Sequence, residues 1–301
     1  MFGRVNPPGL VYTIDLSKIA DRENPRTVEA PSMEYATEPY TVDWGDGVTE
    51  EFDTSSAAYP SHTYANGAGD VFSIVIRSAT GHLPMIRFRA YSSSGAGIYA
   101  ITKAVVSIDH FAGETIEYNI NTGSRTFANC SNLRYIDTRV VCKADRLTFN
   151  QHLDSCENLE QDICTFCFDF CNVAAPFVAL FNSCEKLFGT LPRRFFAGAI
   201  SASNMASAFF GCVSITGALP DDVIDYSPGI ASIRYMFYRC TGITEPFVFW
   251  NADGSLNSDK YPTLAAAAVT DSRATQDVYS NCSAALRAQV PTAYGGTMTV
   301  S

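Results

Sequence analysis

The sequence predicts a β-rich chain in two parts, a small sheet-built unit followed by a stack of repeated units. Three observations carry this reading. Cysteines recur at Cys130, Cys156, Cys184, Cys212 and Cys240, 26, 28, 28 and 28 residues apart, each inside the same short string. Segments between residues 33 and 90 alternate apolar and polar residues and are broken by turn formers, as half-buried strands are. Hydrophobic residues make up 47% of the 301 and charged residues 17%, which allows a large core and argues against disorder.

In chain order, residues 1–32 are expected to be an attachment segment or an extra strand, with Val11 to Leu16 as the strand candidate. Tyr40-Thr-Val-Asp-Trp44 reads as a strand leading into the tight turn Gly45-Asp46-Gly47. Further strands are expected at Val71 to Ile76 and Met85 to Tyr91, with His62-Thr63-Tyr64 between the turn and the first of them. The small residues at 92–97 read as a linker.

Trp44-Gly45-Asp46-Gly47 followed by His62-Thr63-Tyr64 resembles the polycystic-kidney-disease (PKD) domain, in order and in separation. The resemblance implies an immunoglobulin-like β-sandwich over 33–95, with Trp44 and Tyr64 in its core, acting as a spacer or adhesive unit. Asp70 stands where the family usually has glycine, so the local turn is expected to differ.

The second part begins near residue 105. Its copies are Phe127-Ala-Asn-Cys130-Ser-Asn-Leu133, Leu153-Asp-Ser-Cys156-Glu-Asn-Leu159, Phe181-Asn-Ser-Cys184-Glu-Lys-Leu187, Phe209-Phe-Gly-Cys212-Val-Ser-Ile215 and Phe237-Tyr-Arg-Cys240-Thr-Gly-Ile243. A sixth, Tyr279-Ser-Asn-Cys282-Ser-Ala-Ala285, follows after 42 residues, lacks the final aliphatic residue and is expected to be a cap. A fixed period of this length means stacked units that share a core. The aromatic and the cysteine, three apart, are expected on one helical face, with the aliphatic residue leading into a short strand or turn. These strings resemble the BspA-like leucine-rich repeats, including the Mycoplasma lipoprotein form, and imply a leucine-rich-repeat-type solenoid over 105–301. The cysteines are expected to be free, buried thiols, since each copy offers one equivalent position.

Chemistry-bearing motifs are few. Cys164-Thr-Phe-Cys167 with Cys171 lacks the second ligand pair that zinc needs, so packing among Phe166, Phe168 and Phe170 is expected. Gly95-Ala-Gly97-Ile-Tyr-Ala100 fits a dinucleotide fingerprint in letters, but repeats follow it where a βαβ unit should be. Asn251, Asp253, Ser255, Asn257 and Asp259 alternate like calcium ligands without the closing glutamate, and a surface insertion is expected. Asp221-Asp222 after Pro220 is expected to open a helix. No catalytic residue, cofactor or metal is assigned.

The net charge of −10 and scattered basic residues argue against a nucleic-acid partner. No apolar run is long enough to span a bilayer. Met1-Phe-Gly-Arg-Val-Asn-Pro-Pro lacks the features of a secretory signal, and a chain not exported by that route is expected. The resemblances imply a non-enzymatic interaction protein. One reading is a bacteriophage virion component (head fibre, tail fibre or decoration protein), assembled in the host cytoplasm as a homo-oligomer, a trimer among the options. It would touch other virion proteins or a host-surface protein or glycan. The other is a bacterial cell-surface adhesin that lacks its signal peptide. Phe247-Val-Phe-Trp250 and Tyr261 are the candidate contact residues, with core packing the competing reading for Trp250.

Overall fold

Alternating apolar residues build the first sheet, because successive strand side chains point to opposite faces. In β1 (Gly9–Asp15) Leu10, Tyr12 and Ile14 are buried, and in β6 (Val71–Ser78) so are Phe72, Ile74 and Ile76. A computed structural model describes residues 9–31, 38–53, 60–78, 88, 100–112, 125–138, 149–166, 168, 176–200 and 202–299. The chain is β-rich, with few helices and open sheets.

Besides β1 and β6, the first sheet takes β3 (Tyr40–Asp43), β4 (Thr49–Phe52), β7 (Val105–Ala112) and β8 (Tyr135–Ile136), in the order β4-β3-β6-β1-β7-β8. A two-stranded sheet joins β2 (Thr27–Glu29) to β5 (Ser61–Thr63). Helix α1 (Ala100–Ala104) leads directly into β7. The expected linker at 92–97 lies outside the described residues, as does the strand at 85–91 apart from Phe88, which is buried.

This topology joins ranges that the sequence reading set apart. β1 is the extra strand expected within 1–32, and it lies inside the sheet between β6 and β7. β7 and β8, from the range assigned to the repeats, continue the same sheet, β7 antiparallel to β1 and parallel to β8. Both expected boundaries therefore cut through one hydrogen-bonded ladder.

The repeat copies follow a different rule. The expected helical face is absent: residues before each cysteine form overlapping turns, not an α-helix. Residues one, three and five before the cysteine donate their N–H groups to the next copy. Thus Ser183, Phe181 and Ala179 donate to the carbonyls of Phe210, Ala208 and Ala206 at 2.7, 2.8 and 2.8 Å. Residues between them, and the cysteine, donate within their own copy to the carbonyl three back, as Cys212 does to Phe209 and Phe210 to Ser207, both at 3.1 Å. Donors thus alternate between tying a copy to itself and tying it to its neighbour, which satisfies buried backbone without helix or long strand.

The turns need left-handed backbone. The residue just before each cysteine has positive φ: Asn129 (64°), Ser155 (60°), Ser183 (58°), Gly211 (74°), Arg239 (61°) and Asn281 (59°). It is the third residue of a turn closed by the cysteine N–H, where positive φ is the mark of type II. The residue five before does the same, from Arg125 (68°) to Asp277 (55°).

The cysteine has a specific partner. Its thiol donates to the carbonyl of the residue three before the previous copy's cysteine. Cys156 reaches Phe127 at 3.1 Å, Cys184 Leu153 at 3.2 Å, Cys212 Phe181 at 3.0 Å, Cys240 Phe209 at 2.9 Å and Cys282 Phe237 at 3.0 Å. These thiols are free and buried. Beside them the aromatic column stacks, Phe181 on Phe209 at 5.6 Å, Phe209 on Phe237 at 5.2 Å and Phe237 on Tyr279 at 5.9 Å between ring centres. Leu133, Leu159, Leu187, Ile215 and Ile243, three after each cysteine, are buried too. They lead into parallel pairings: Asp162 with Phe188, Gly189 with Ile215, and β9 (Gly217–Ala218) with β10 (Ile243–Glu245).

The last copy is covered on its outer side. Tyr279 donates its N–H to Tyr294, Ser283 caps the short helix Ala284–Arg287, and buried Leu286 stands in for the missing aliphatic residue. Asp221 and Asp222 open a run of turns, not the helix expected of them. Arg193 and Asp221, one copy apart, pair at 2.8 Å, and the Arg194 N–H reaches Asp222 at 3.2 Å, so the opposite charges read register between copies.

Two outcomes follow from this arrangement. At Gly211 the nearest atoms to an added Cβ lie 3.7 Å away, so conformation decides, not space. Gly211→Asn should be close to neutral in urea unfolding, whereas β-branched Gly211→Val should cost about 1–2 kcal/mol. Burial raises the thiol pKa of Cys156, Cys184, Cys212 and Cys240, and that of Cys282 to about 12. An acid whose folded pKa is raised stabilises the fold below its unfolded value and loses that contribution above it. Stability should therefore fall as pH rises past the unfolded thiol value of about 8.5, by up to about 1.4 kcal/mol per pH unit for each thiol. Equal urea midpoints at pH 7 and pH 10 would contradict it.

Candidate interaction surface

At the hairpin between β3 and β4, four residues singled out from sequence do come together. Trp44 is fully buried, stacks on His62 at 5.0 Å and donates its indole N–H to Glu50 at 2.8 Å. His62 Nε2 pairs with Asp46 at 2.7 Å, and the Tyr64 hydroxyl donates to the Trp44 carbonyl at 2.9 Å. Burial works to raise the Asp46 carboxyl, but the His62 hydrogen bond, the Val48 N–H and the imidazole's charge hold it below the ordinary carboxylate value. Gly47, with φ of 95°, closes the turn. Asp70 is explained by Arg26, whose guanidinium pairs with it at 2.7 Å and donates to the Ala65 and Gly69 carbonyls, clamping the loop. All of these contacts hold the chain on itself; the cluster is a fold-stabilising centre.

The outer face of the six-stranded sheet is different. Strand register places Ser73, Thr13, Ser107 and Tyr135 side by side across β6, β1, β7 and β8. Directly paired residues share a face, so this is one row of side chains, about 14 Å from end to end at the usual strand spacing. Asp109, exposed, accepts from the Thr13 and Ser107 hydroxyls, each at 2.6 Å. Tyr135 is 47% exposed.

The row continues onto the repeats. Glu160 donates its N–H to the Arg134 carbonyl, which sets it beside Tyr135 as in a parallel ladder. The Gln161 side-chain amide bonds both the N–H and the carbonyl of Ile136 at 3.1 Å, mending the ladder where backbone pairing lapses. One copy further on, Phe188 lies opposite Asp162 and is 43% exposed. Gly189 follows it with φ of 97°, and a Cβ there would meet the Asp162 carboxylate.

Comparisons with protein-family models, curated proteins and solved structures find no match.

A second surface lies over the turns, two residues before the cysteines. In early copies it is polar: Gln151, Ser155 and Asn182 all donate to the Asp154 carboxylate. In later copies it is aromatic. Phe210 stacks on Tyr238 at 4.7 Å, Tyr235 packs edge-on against both, and the Arg234 guanidinium lies 4.4 Å from the Tyr235 ring centre.

Other expected sites resolve differently. Phe247, Phe249, Trp250 and Tyr261 are buried, Trp250 stacked on Tyr294 at 5.6 Å, so these are core and not contact residues; only Val248 of that string is exposed. Cys164 is exposed, not packed among the phenylalanines, and a hydrogen bond to Asp162 raises its pKa; Cys167 and Cys171 lie outside the described residues, while Phe166 and Phe168 are buried. In the 251–259 insertion Asp253 accepts from the Ser255 N–H and hydroxyl at 2.9 and 2.6 Å, and Asn257 from the Lys260 N–H, so these oxygens serve the loop. Among the described residues no group of three His, Cys, Asp or Glu could hold a metal. Gly95 and Gly97 lie outside them, and Asp109 is engaged on the sheet face. No helix among the described residues is long and apolar enough to cross a membrane.

Sequence reasoning missed Tyr135, Phe188, Phe210 and Tyr238. For the last two a signal was present, since Phe209-Phe210 and Phe237-Tyr238 double the aromatic where other copies have a small or polar residue. Tyr135 and Phe188 stand five and four after their cysteines, and only strand register puts them on one face.

Trp44→Ala should destabilise by roughly 3–5 kcal/mol, as truncating a large core aromatic does. The depressed Asp46 carboxyl contributes stability above its unfolded value of about 3.9, which is lost as pH falls through the lower folded value. Asp46→Asn should therefore flatten the acid limb of the stability curve below about pH 4. An unchanged acid limb in calorimetry would rule out the role assigned to this pair.

Proposed function

We propose that this chain is a non-enzymatic contact protein, a bacteriophage virion component such as a head fibre, tail fibre or decoration protein. The observation that carries the reading is the outer sheet face, where exposed Tyr135 lies on the edge strand of the first sheet and exposed Phe188 on an isolated parallel bridge among the repeats beyond it. Exposed aromatics on a rigid sheet are the residues that concentrate contact energy at protein surfaces. In this reading the first sheet with its two-stranded companion is a PKD-like, immunoglobulin-like sandwich, and the stacked copies are a leucine-rich-repeat-type solenoid of the BspA-like kind. Free thiols at every ladder position suit a chain assembled in a reducing cytoplasm. Partners would be other virion proteins or a molecule of the host surface. Several copies per particle, as a homo-oligomer or on a repeating lattice, would turn a weak single contact into firm attachment.

Mass spectrometry of purified particles from the source host tests this. The protein is expected among virion proteins at a fixed copy number. Recovery from the bacterial envelope alone, and never from particles, would replace this reading with a cell-surface adhesin.

A further inference from the structure

We propose that the outer sheet face is a binding site for a neutral, linear polysaccharide lying across the strands. The inference rests on the contact-protein reading and names the chemistry of one partner. Three features of the face carry it.

First, it offers rings not stacked on other described rings. Tyr135 and Phe188 are exposed, and neither is paired with another aromatic side chain among the described residues. On the turn surface, by contrast, Phe210, Tyr235 and Tyr238 pack against one another. A sugar ring presents a face of C–H groups, and an open aromatic face is the surface on which it stacks, as other apolar groups do.

Second, the polar groups between and beside the rings suit sugar hydroxyls. Ser73 provides a hydroxyl that donates and accepts, Thr13 and Ser107 have given their protons to Asp109 and can only accept, and the carboxylates of Asp109 and Glu160 accept only. The Asp109 carboxylate is already oriented by two hydroxyl donors, and the residue stays exposed. A sugar bears donors at every position and can supply what this face lacks.

Third, charge narrows the choice. Asp109, Glu160 and Asp162 outnumber exposed Lys186, two residues before Phe188, so the face is acidic in balance on a chain of net charge −10. A uronic-acid or sulfated polymer would be repelled, whereas a neutral one is not. The strands set a repeat of about 4.8 Å across the row, comparable to the length of one sugar unit, so successive sugars can meet successive strands.

The test is native affinity electrophoresis of the full chain in gels cast with hydroxyethylcellulose, galactomannan or dextran, and with alginate as the acidic comparison. Retardation by at least one neutral polymer, and less by alginate, is expected. Varying polymer concentration then gives the dissociation constant. Tyr135→Ala and Phe188→Ala should each weaken binding about tenfold, the weight of one aromatic contact, while Tyr135→Phe keeps the ring and should bind. Both positions are exposed, so thermal melting should be unchanged and loss of binding cannot be blamed on unfolding. Arg239→Ala, on the turn surface, should bind as the parent does. No retardation in any neutral gel, stronger retardation by alginate, or binding that survives the double alanine variant would each overturn the proposal. None of these results depends on whether the protein is found in virions, so the two readings can fail separately.

Discussion

The structure depends on one backbone arrangement: donors that alternate between their own copy and the next. A chain turning this tightly cannot satisfy its N–H groups by an α-helical ladder, because half of them face the neighbouring copy. The carbonyl three residues before each cysteine shows how fully the arrangement is used. The Phe209 carbonyl accepts from the Cys212 N–H at 3.1 Å and from the Cys240 thiol at 2.9 Å. Cysteine suits that place physically. It is small enough for the crowded centre of the stack, apolar enough to be fully buried, and still carries a weak donor for the carbonyl's second lone pair. Serine would bring a stronger donor but less apolar volume. Valine would fill the space and leave the second lone pair unused.

From that constraint the rest follows. Since each copy gives hydrogen bonds to the next, the first copies need a partner on their other side, and β7 provides it. It offers β8 a parallel edge and β1 an antiparallel one, so the first sheet ends the stack at one side as the Tyr279–Tyr294 region does at the other. Repeat stacks lose solubility when their ends are left open. The junction is the hydrogen-bonded pairing of β7 with β8. Residues far apart in sequence, Thr13, Ser107 and Tyr135, become neighbours only because of that junction.

The motifs with the strongest lettering turned inward: Trp44, His62 and Asp46 hold a hairpin, Asp253 and Asn257 hold an insertion, and Trp250 closes the C-terminal core. What remains outward is a rigid strip of hydroxyls, carboxylates and two aromatic rings.

How much was legible in the sequence can be argued from particular residues. The repeat was, because Phe181, Cys184 and Leu187 recur at a fixed period and only burial against an equivalent neighbour preserves such a pattern. The hairpin was too, since Gly45-Asp46-Gly47 demands a tight turn whatever surrounds it. Local turn geometry was not. Three-residue spacing is shared by a helical face and by overlapping turns, and positive φ at Arg239 or Tyr235 is invisible in residue type. Which distant strands pair was not legible for a related reason: composition marks linkers, but sheet pairing runs across them. The outward face could not be read at all. Whether Tyr135 or Trp250 meets solvent depends on which strand lies beside it, and pairing between distant strands is settled by the whole core's packing. By itself the sequence determined the period, the buried columns and the hairpin, because these rest on local spacing and side-chain chemistry. The tertiary structure alone decided which residues the molecule shows to solvent, because a surface is defined by what everything else has covered.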